Sequence, residues 1–258
     1  LRALVAGLAA GHPRRGLARA LGPDARRASL DALVALARRH RTRSTLFVKT
    51  VGPGSPEDVP YRVDGALRTH LCGLAADGFE VGLHPGYATH DHAGRLAAER
   101  ARLAQAVGAA PTAVRSHFLR WTEPTTPRLY ARAGFRLDGT LGFAEDVGFR
   151  RGTAHPFRLW DAAAGAATDL WEMPLAAMDT TLFTHLGLDD TDAAGRLDAV
   201  LAEARRAGGV AVVLWHPAMD GDSAWARRLG VLDRAIGRAV NEGSALGPLG
   251  SLLDSWIG

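Results

Sequence analysis

Apolar residues recur at three- and four-residue spacing in five stretches of the chain, 28–40, 61–78, 93–108, 192–209 and 224–243, and this period predicts amphipathic helices. Most of them stop at Gly or Arg, residues that suit a helix C-terminus. Between them lie short β-type runs at 44–50, 79–84, 112–118, 135–141, 169–175 and 209–217, which predict strands. Strand and helix alternate over most of the chain. That is the pattern of parallel βα units, so the expected architecture is α/β. The Ala-rich segment 161–169 reads as a loop, and no convincing internal repeat is found.

Composition narrows the picture. A chain of 258 residues that is 47% hydrophobic can bury one sizeable core, and no Pro/Ser-rich linker divides it, so a single domain over 1–258 is expected. Lys and Arg together number 31, yet Lys49 is the only lysine. Heavy use of Arg, Ala and Gly is the bias of a GC-rich bacterial genome. The net charge of +4 suggests an anionic partner at first sight. The arginines, however, are scattered over helix faces and not gathered into a stripe, so no nucleic-acid partner is expected. Cys72 stands alone, which excludes an internal disulfide. No run reaches the length of a membrane span, and the first residues lack the long apolar stretch of a signal peptide. A soluble domain is expected. Its location is left open between cytoplasm and cell envelope, and its oligomeric state is not legible.

The candidate chemistry sits where the predicted strands end. The run at 79–84 finishes on His84, that at 112–118 carries Arg115 and His117, that at 135–141 carries Asp138, and the last run ends on His216. In a parallel barrel the C-terminal strand ends converge on one face, and active sites are built there. Neutral imidazole suits zinc and similar divalent ions, and a hydrolytic site needs about three protein ligands with one position open. Any one of these histidines taken alone is also explained as a satisfied polar residue. Arg115 lies inside a β-type run, where a charge is costly unless paired. Arg120 either orients a substrate group or faces solvent. Glu172 and Asp179 either fix an imidazole or form one half of a buried ion pair. Trp121, Trp171 and Trp215 either line a sugar-stacking wall or pack the core.

Taken in order, "TLFV", "GFEVGLHPGY", "VRSHFLRW", "AGFRLDGTLGFAEDVGFRRGT", "EMPLAAMD" and "VVLWHP" resemble the polysaccharide deacetylase superfamily, carbohydrate esterase family 4. The likeness is to a bacterial branch with LHPSY-like and R-x-H-[YF]-L-R motifs, and it runs from about Ser44 to His216. The resemblance implies an irregular, incompletely closed (β/α) barrel. It also implies removal of acetyl groups from amino sugars, with one divalent metal ion, commonly zinc. His84 matches the first histidine of the family's H-[ST]-x-x-H motif, but Ala88 stands where the second belongs. His117 is taken as the replacement ligand, with His90 in reserve and His92 as a loop residue. Arg115 matches the arginine that orients the catalytic base, and His216 matches the general acid. Arg120, Asp138, Asp179 and Trp215 are assigned to substrate contacts or their supports.

The departure lies at the N-terminal end. Nothing before "STLFV" reads as an apolar strand followed by paired aspartates, since Asp24 and Asp31 lie in or beside helix-like sequence. The chain begins at Leu1, and the first strand with its Asp motif is expected to be lost by truncation. The leading expectation is a metal-dependent hydrolase that deacetylates an amino sugar or acylated glycan. The alternatives are a catalytically inactive carbohydrate-binding barrel and an amidohydrolase-like enzyme, for which Lys49 is a poor bridging lysine.

Overall fold

A computed structural model describes residues 25–51, 63, 65–218 and 223–258. The chain enters on helix α1 (Ala25–Arg39) and strand β1 (Thr45–Val48), then runs through α2 (Gly65–Ala76), β2 (Glu80–Leu83), α3 (Ala93–Val107) and β3 (Ala113–Val114). It continues with α4 (Thr125–Arg132), β4 (Leu137–Asp138), β5 (Phe157–Asp161), β6 (Ala166–Glu172) and β7 (Leu175–Met178). The last elements are α5 (Asp190–Arg206), β8 (Val212–Leu214), α6 (Trp225–Asn241) and α7 (Leu249–Ile257).

Six strands form one sheet in the order β1-β2-β3-β4-β6-β5, and β7 pairs with β8 in a second. All pairings are parallel except the β5–β6 hairpin. Among the described residues, β1 and β8 each have a strand partner on one side only. The result is the expected α/β architecture, and among the described residues the two sheets do not close into one barrel. The passage from sheet to sheet is made at Met173–Pro174. Proline has no N–H for a ladder, so the run read as one strand at 169–175 breaks there. Its carbonyl still accepts from Val212 N–H at 3.0 Å, which hands the chain to β8.

Each of the five predicted helices is present. Helix α3 shows why it forms: Leu96, Leu103 and Ala106 are buried at helical spacing, His92 caps its start by accepting from Arg95 N–H, and Gly108 ends it in the left-handed conformation. Helices α4 and α7, and strand β5, were not anticipated. The segment 161–169, read as loop, is a hairpin turn leading into β6. Asp161 Oδ1 accepts from the Ala163 and Ala164 N–H groups, and Arg128 of α4 clamps the same carboxylate.

One apolar cluster fills the space between the large sheet and α2, α3 and α4, around Leu71, Leu83, Leu103 and Tyr130. A second joins β7 and β8 to α5 and α6 through Ala177, Leu197, Val231 and Trp215. The interior cluster contains Leu137, Met173, Leu175 and Val212, with Leu249 and Leu253 of α7. The first turn of α7 is tied to the opening residues of β1 and β2: Leu249 N–H donates to Thr45 Oγ1 and Gly250 N–H to Glu80 Oε2. Helix α7 therefore plugs the N-terminal end of the barrel, which leaves chemistry to the opposite rim.

Candidate active site

The first three strands of the large sheet end side by side, and their next residues meet. Lys49 follows β1, His84 follows β2 and His117 lies three residues beyond β3. His84 Nδ1 donates to the Arg115 carbonyl at 2.7 Å, so its Nε2 carries the lone pair and points at His117 Nδ1, 3.1 Å away. Lys49 Nζ sits 2.9 Å from His117 Nε2. Burial holds the His84 pKa well below the ordinary histidine range, helped by the nearby charges of His117, Lys49 and His216, while its bond to the Arg115 carbonyl acts the other way. His84 is neutral at physiological pH, the form a metal or a proton donor requires.

His117 is held by an unusual backbone. Phe118 and Leu119, neither of them glycine, have φ of 55° and 51°. Left-handed conformation at such residues costs about 1–2 kcal/mol each and clusters at functional sites. Here it turns His117 back toward His84 and leaves Phe118 66% exposed beside it, ring centroids 4.3 Å apart. Tyr87 meets Phe118 edge-on, and the Arg120 guanidinium lies over Tyr87 at 4.0 Å. The loop beneath is set from inside by Glu99 of α3, whose carboxylate accepts from Gly86 N–H and Thr89 Oγ1.

The second sheet supplies His216, just past β8. Asp179, just past β7, accepts from the His216 ring Nδ1 at 2.6 Å and from the His216 and Thr180 backbone N–H groups at 3.0 and 2.8 Å. Three donors leave Asp179 little freedom to bind a substrate. It is an imidazole support, one of the two roles the sequence left open. The His216 ring is fixed with Nε2 outward, and its side chain is 38% exposed.

Three of the expected site residues, Asp138, Arg115 and Trp215, are buried. Asp138 is wholly buried: Thr140 Oγ1 donates to Oδ1 at 2.5 Å, and its neighbour across the β4–β6 ladder is Glu172, so it makes no substrate contact. Burial raises its pKa to about 6 and pushes Glu172 well above the carboxylate range, the proximity of the two acids adding to the latter. Glu172 is the protonated member. A shared proton satisfies Asp138 Oδ2 and Glu172 Oε2, which have no other donor. Arg115 is equally enclosed. Its guanidinium donates to the Gly139 carbonyl at 2.7 Å, lies over the Phe47 ring at 4.4 Å and faces the acid pair, while burial lowers its pKa to about 10. It supports the rim from below, and its backbone carbonyl orients His84. A Cβ at Gly139 would stand 2.9 Å from Arg115 Nη2, so any larger residue here would push the guanidinium aside.

Trp215 is a core residue, 8% exposed and edge-on to Phe183. Trp171 packs against the interior cluster and Trp121 against Tyr130, which is the packing role of the two the sequence left open. His90 is buried beside Asp91 and does not join His84. Asp24 lies outside the described residues, and Asp31 pairs with His70 on the helices. The residues that sequence reasoning missed are Lys49, Phe118 and Glu99. Lys49 carried a signal: it is the one cation that an arginine-biased chain keeps as lysine.

For a divalent ion, the imidazole pair fits in part. Two imidazole nitrogens on one zinc ion, each at about 2.0–2.1 Å, stand roughly 3.3 Å apart in tetrahedral geometry, close to the separation seen. Among the described residues, no group of three His, Cys, Asp or Glu side chains is placed to hold a metal.

No protein-family model matches the sequence, and no curated protein matches it. Solved structures do. A Mycobacterium smegmatis protein described as a polysaccharide deacetylase superposes with a TM-score of 0.68 at 18% identity, over 97% of this chain and 83% of that one. PuuE allantoinase gives 0.55 at 17% identity, over 89% and 70%. A Pseudomonas aeruginosa PAO1 protein described as a polysaccharide deacetylase gives 0.52 at 19% identity, over 83% and 67%. The chain therefore has the polysaccharide deacetylase fold.

Proposed function

We propose that the protein is a hydrolase that removes an acetyl group from an amino sugar or acylated glycan. The observation that carries this reading is the meeting, at one rim, of the His84–His117 imidazole pair with a carboxylate-held imidazole from the other sheet. His84 and His117 would hold a divalent ion, zinc by donor type, which supplies Lewis acidity when bound. The chain's own part is proton transfer and positioning. As water adds to the acetyl carbon and the C–N bond breaks, the leaving nitrogen takes a proton from His216 Nε2, the proton given up by the water restores the ring, and Asp179 holds the ring in place through Nδ1. Phe118 and Arg120 flank the opening and offer an apolar ring and a cation to the glycan. The names of the neighbouring structures, polysaccharide deacetylase in two cases, agree with this reading.

The test is acetate release from N-acetylated glucosamine oligomers by the purified chain, with zinc or cobalt added. His216→Ala is expected to lower kcat by about 10²-fold or more, with circular dichroism unchanged. Oligosaccharide binding without any acetate release would refute the hydrolase and select the inactive sugar-binding barrel.

A further inference from the structure

We propose that Arg120 makes the rim selective for acidic glycans, binding an oxyanion carried by the sugar chain while the exposed Phe118 ring takes the apolar face of a sugar. The inference rests on reading the protein as one that acts on a glycan, and adds which kind.

The backbone places the two side chains. Phe118 and Leu119 take left-handed φ of 55° and 51°, so the chain doubles back, and Arg120 N–H donates to the His117 carbonyl at 3.2 Å. Arg120 itself is extended again. Phe118 and Arg120 thereby reach the same ring, Tyr87. Phe118 meets it edge-on, with centroids 5.8 Å apart, and the Arg120 guanidinium lies over it at 4.0 Å.

Stacking occupies the flat face of a guanidinium and leaves its five N–H donors along the edge, in one fixed plane. Among the described residues, none of these Arg120 donors is taken by a hydrogen bond or an ion pair. The nearby acids are engaged elsewhere: Asp91, in the same loop as Tyr87, turns to His90 at 3.6 Å, and Glu123 is held by Arg151 and by Trp121 Nε1. Other half-buried or exposed arginines do find a carboxylate, Arg128 on Asp161 and Arg158 on Asp169. A guanidinium steadied by an aromatic ring, with its donor edge unengaged, takes carboxylate or phosphate oxygens two at a time, whereas a neutral hydroxyl brings one acceptor and no charge. Phe118, 66% exposed on the same ledge, adds the apolar surface that a sugar ring covers.

The experiment is calorimetric titration of the purified full chain with three probes: the N-acetylglucosamine tetramer, a tetramer alternating N-acetylglucosamine with glucuronate, and N-acetylglucosamine 6-phosphate against N-acetylglucosamine. It compares wild type with Arg120→Gln and Arg120→Lys, with thermal melts to confirm folding and acetate release followed on the same tetramers. Wild type is expected to bind an acidic probe at least about tenfold more tightly than its neutral counterpart, and whichever probe shows this names the oxyanion as carboxylate or phosphate. Arg120→Gln should lose the preference, and Arg120→Lys, a point charge without the fork, should keep only part of it. Should Arg120→Gln not fold, Tyr87→Leu, which takes away the ring under the guanidinium, is read by the same ratio. Equal binding of acidic and neutral probes by wild type overturns the selectivity, and so does a preference that survives in folded Arg120→Gln; acetate release from the neutral tetramer would then leave the hydrolase standing. An Arg120-dependent preference without acetate release supports the selectivity and refutes the hydrolase. Neither binding nor release with any probe overturns both.

Discussion

Replacing Asp138 by asparagine probes the buried acid pair. In the folded protein Asp138 ionises near pH 6, against 3.8 for an ordinary aspartate, because burial opposes its charge. Between those values the native state keeps a proton that the unfolded chain releases. Each pH unit crossed costs about 1.4 kcal/mol, so roughly 3 kcal/mol of stability present below pH 4 is lost as pH rises through 6. The introduced amide would still accept from Thr140 through its carbonyl and would turn its NH₂ group to Glu172, which accepts once it gives up its proton, so the variant removes the titration of Asp138 itself. Urea unfolding of both proteins at pH 4 and pH 8 measures the effect. Asp138→Asn should gain up to about 3 kcal/mol relative to wild type on going from the lower to the higher pH. The comparison between proteins cancels the opposing contribution of His84, whose depressed pKa makes stability fall on acidification. A difference that is the same at both pH values would refute the reasoning.

Two substitutions test the framework. Gly82→Ala in β2 would place a Cβ 2.7 and 2.8 Å from the Phe47 ring and 3.0 Å from the Ala113 carbonyl oxygen. Overpacking of this kind costs about 1–3 kcal/mol, readable in denaturant unfolding, and an unchanged midpoint would contradict the close approach. Phe118→Asn puts a residue that tolerates the left-handed region at φ 55°. It should raise the unfolding free energy by about 0.5–1 kcal/mol while raising KM for glycan; a loss of stability would show that the exposed ring is held by contacts and not by strain.

The site was partly legible before the fold. His84 and His216 announce themselves because each closes an apolar run, and a strand that ends on a polar residue marks a barrel rim. The same rule misplaced Asp138. Its position at the end of β4 is equivalent to that of His84 after β2, but its ladder partner across the sheet is Glu172, and that register is a property of two segments more than thirty residues apart in sequence. Lys49 was undervalued for a related reason: its partner His117 lies 68 residues away and is brought close only by the parallel order β1-β2-β3. Helix α7, "LGSLLDSWI", has little helical signal of its own; it forms because Leu249 and Leu253 fill the barrel interior and Thr45 and Glu80 accept its first N–H groups.

What the sequence determined by itself is the periodic part: the five long helices, most of the strands and the α/β alternation, since burial of one face is written into residue spacing. What the tertiary structure alone decided is which rim residues face solvent and which face one another. That depends on strand register, on the break at Pro174 and on the left-handed turn at Phe118, and these bring together side chains whose separation along the chain carries no period.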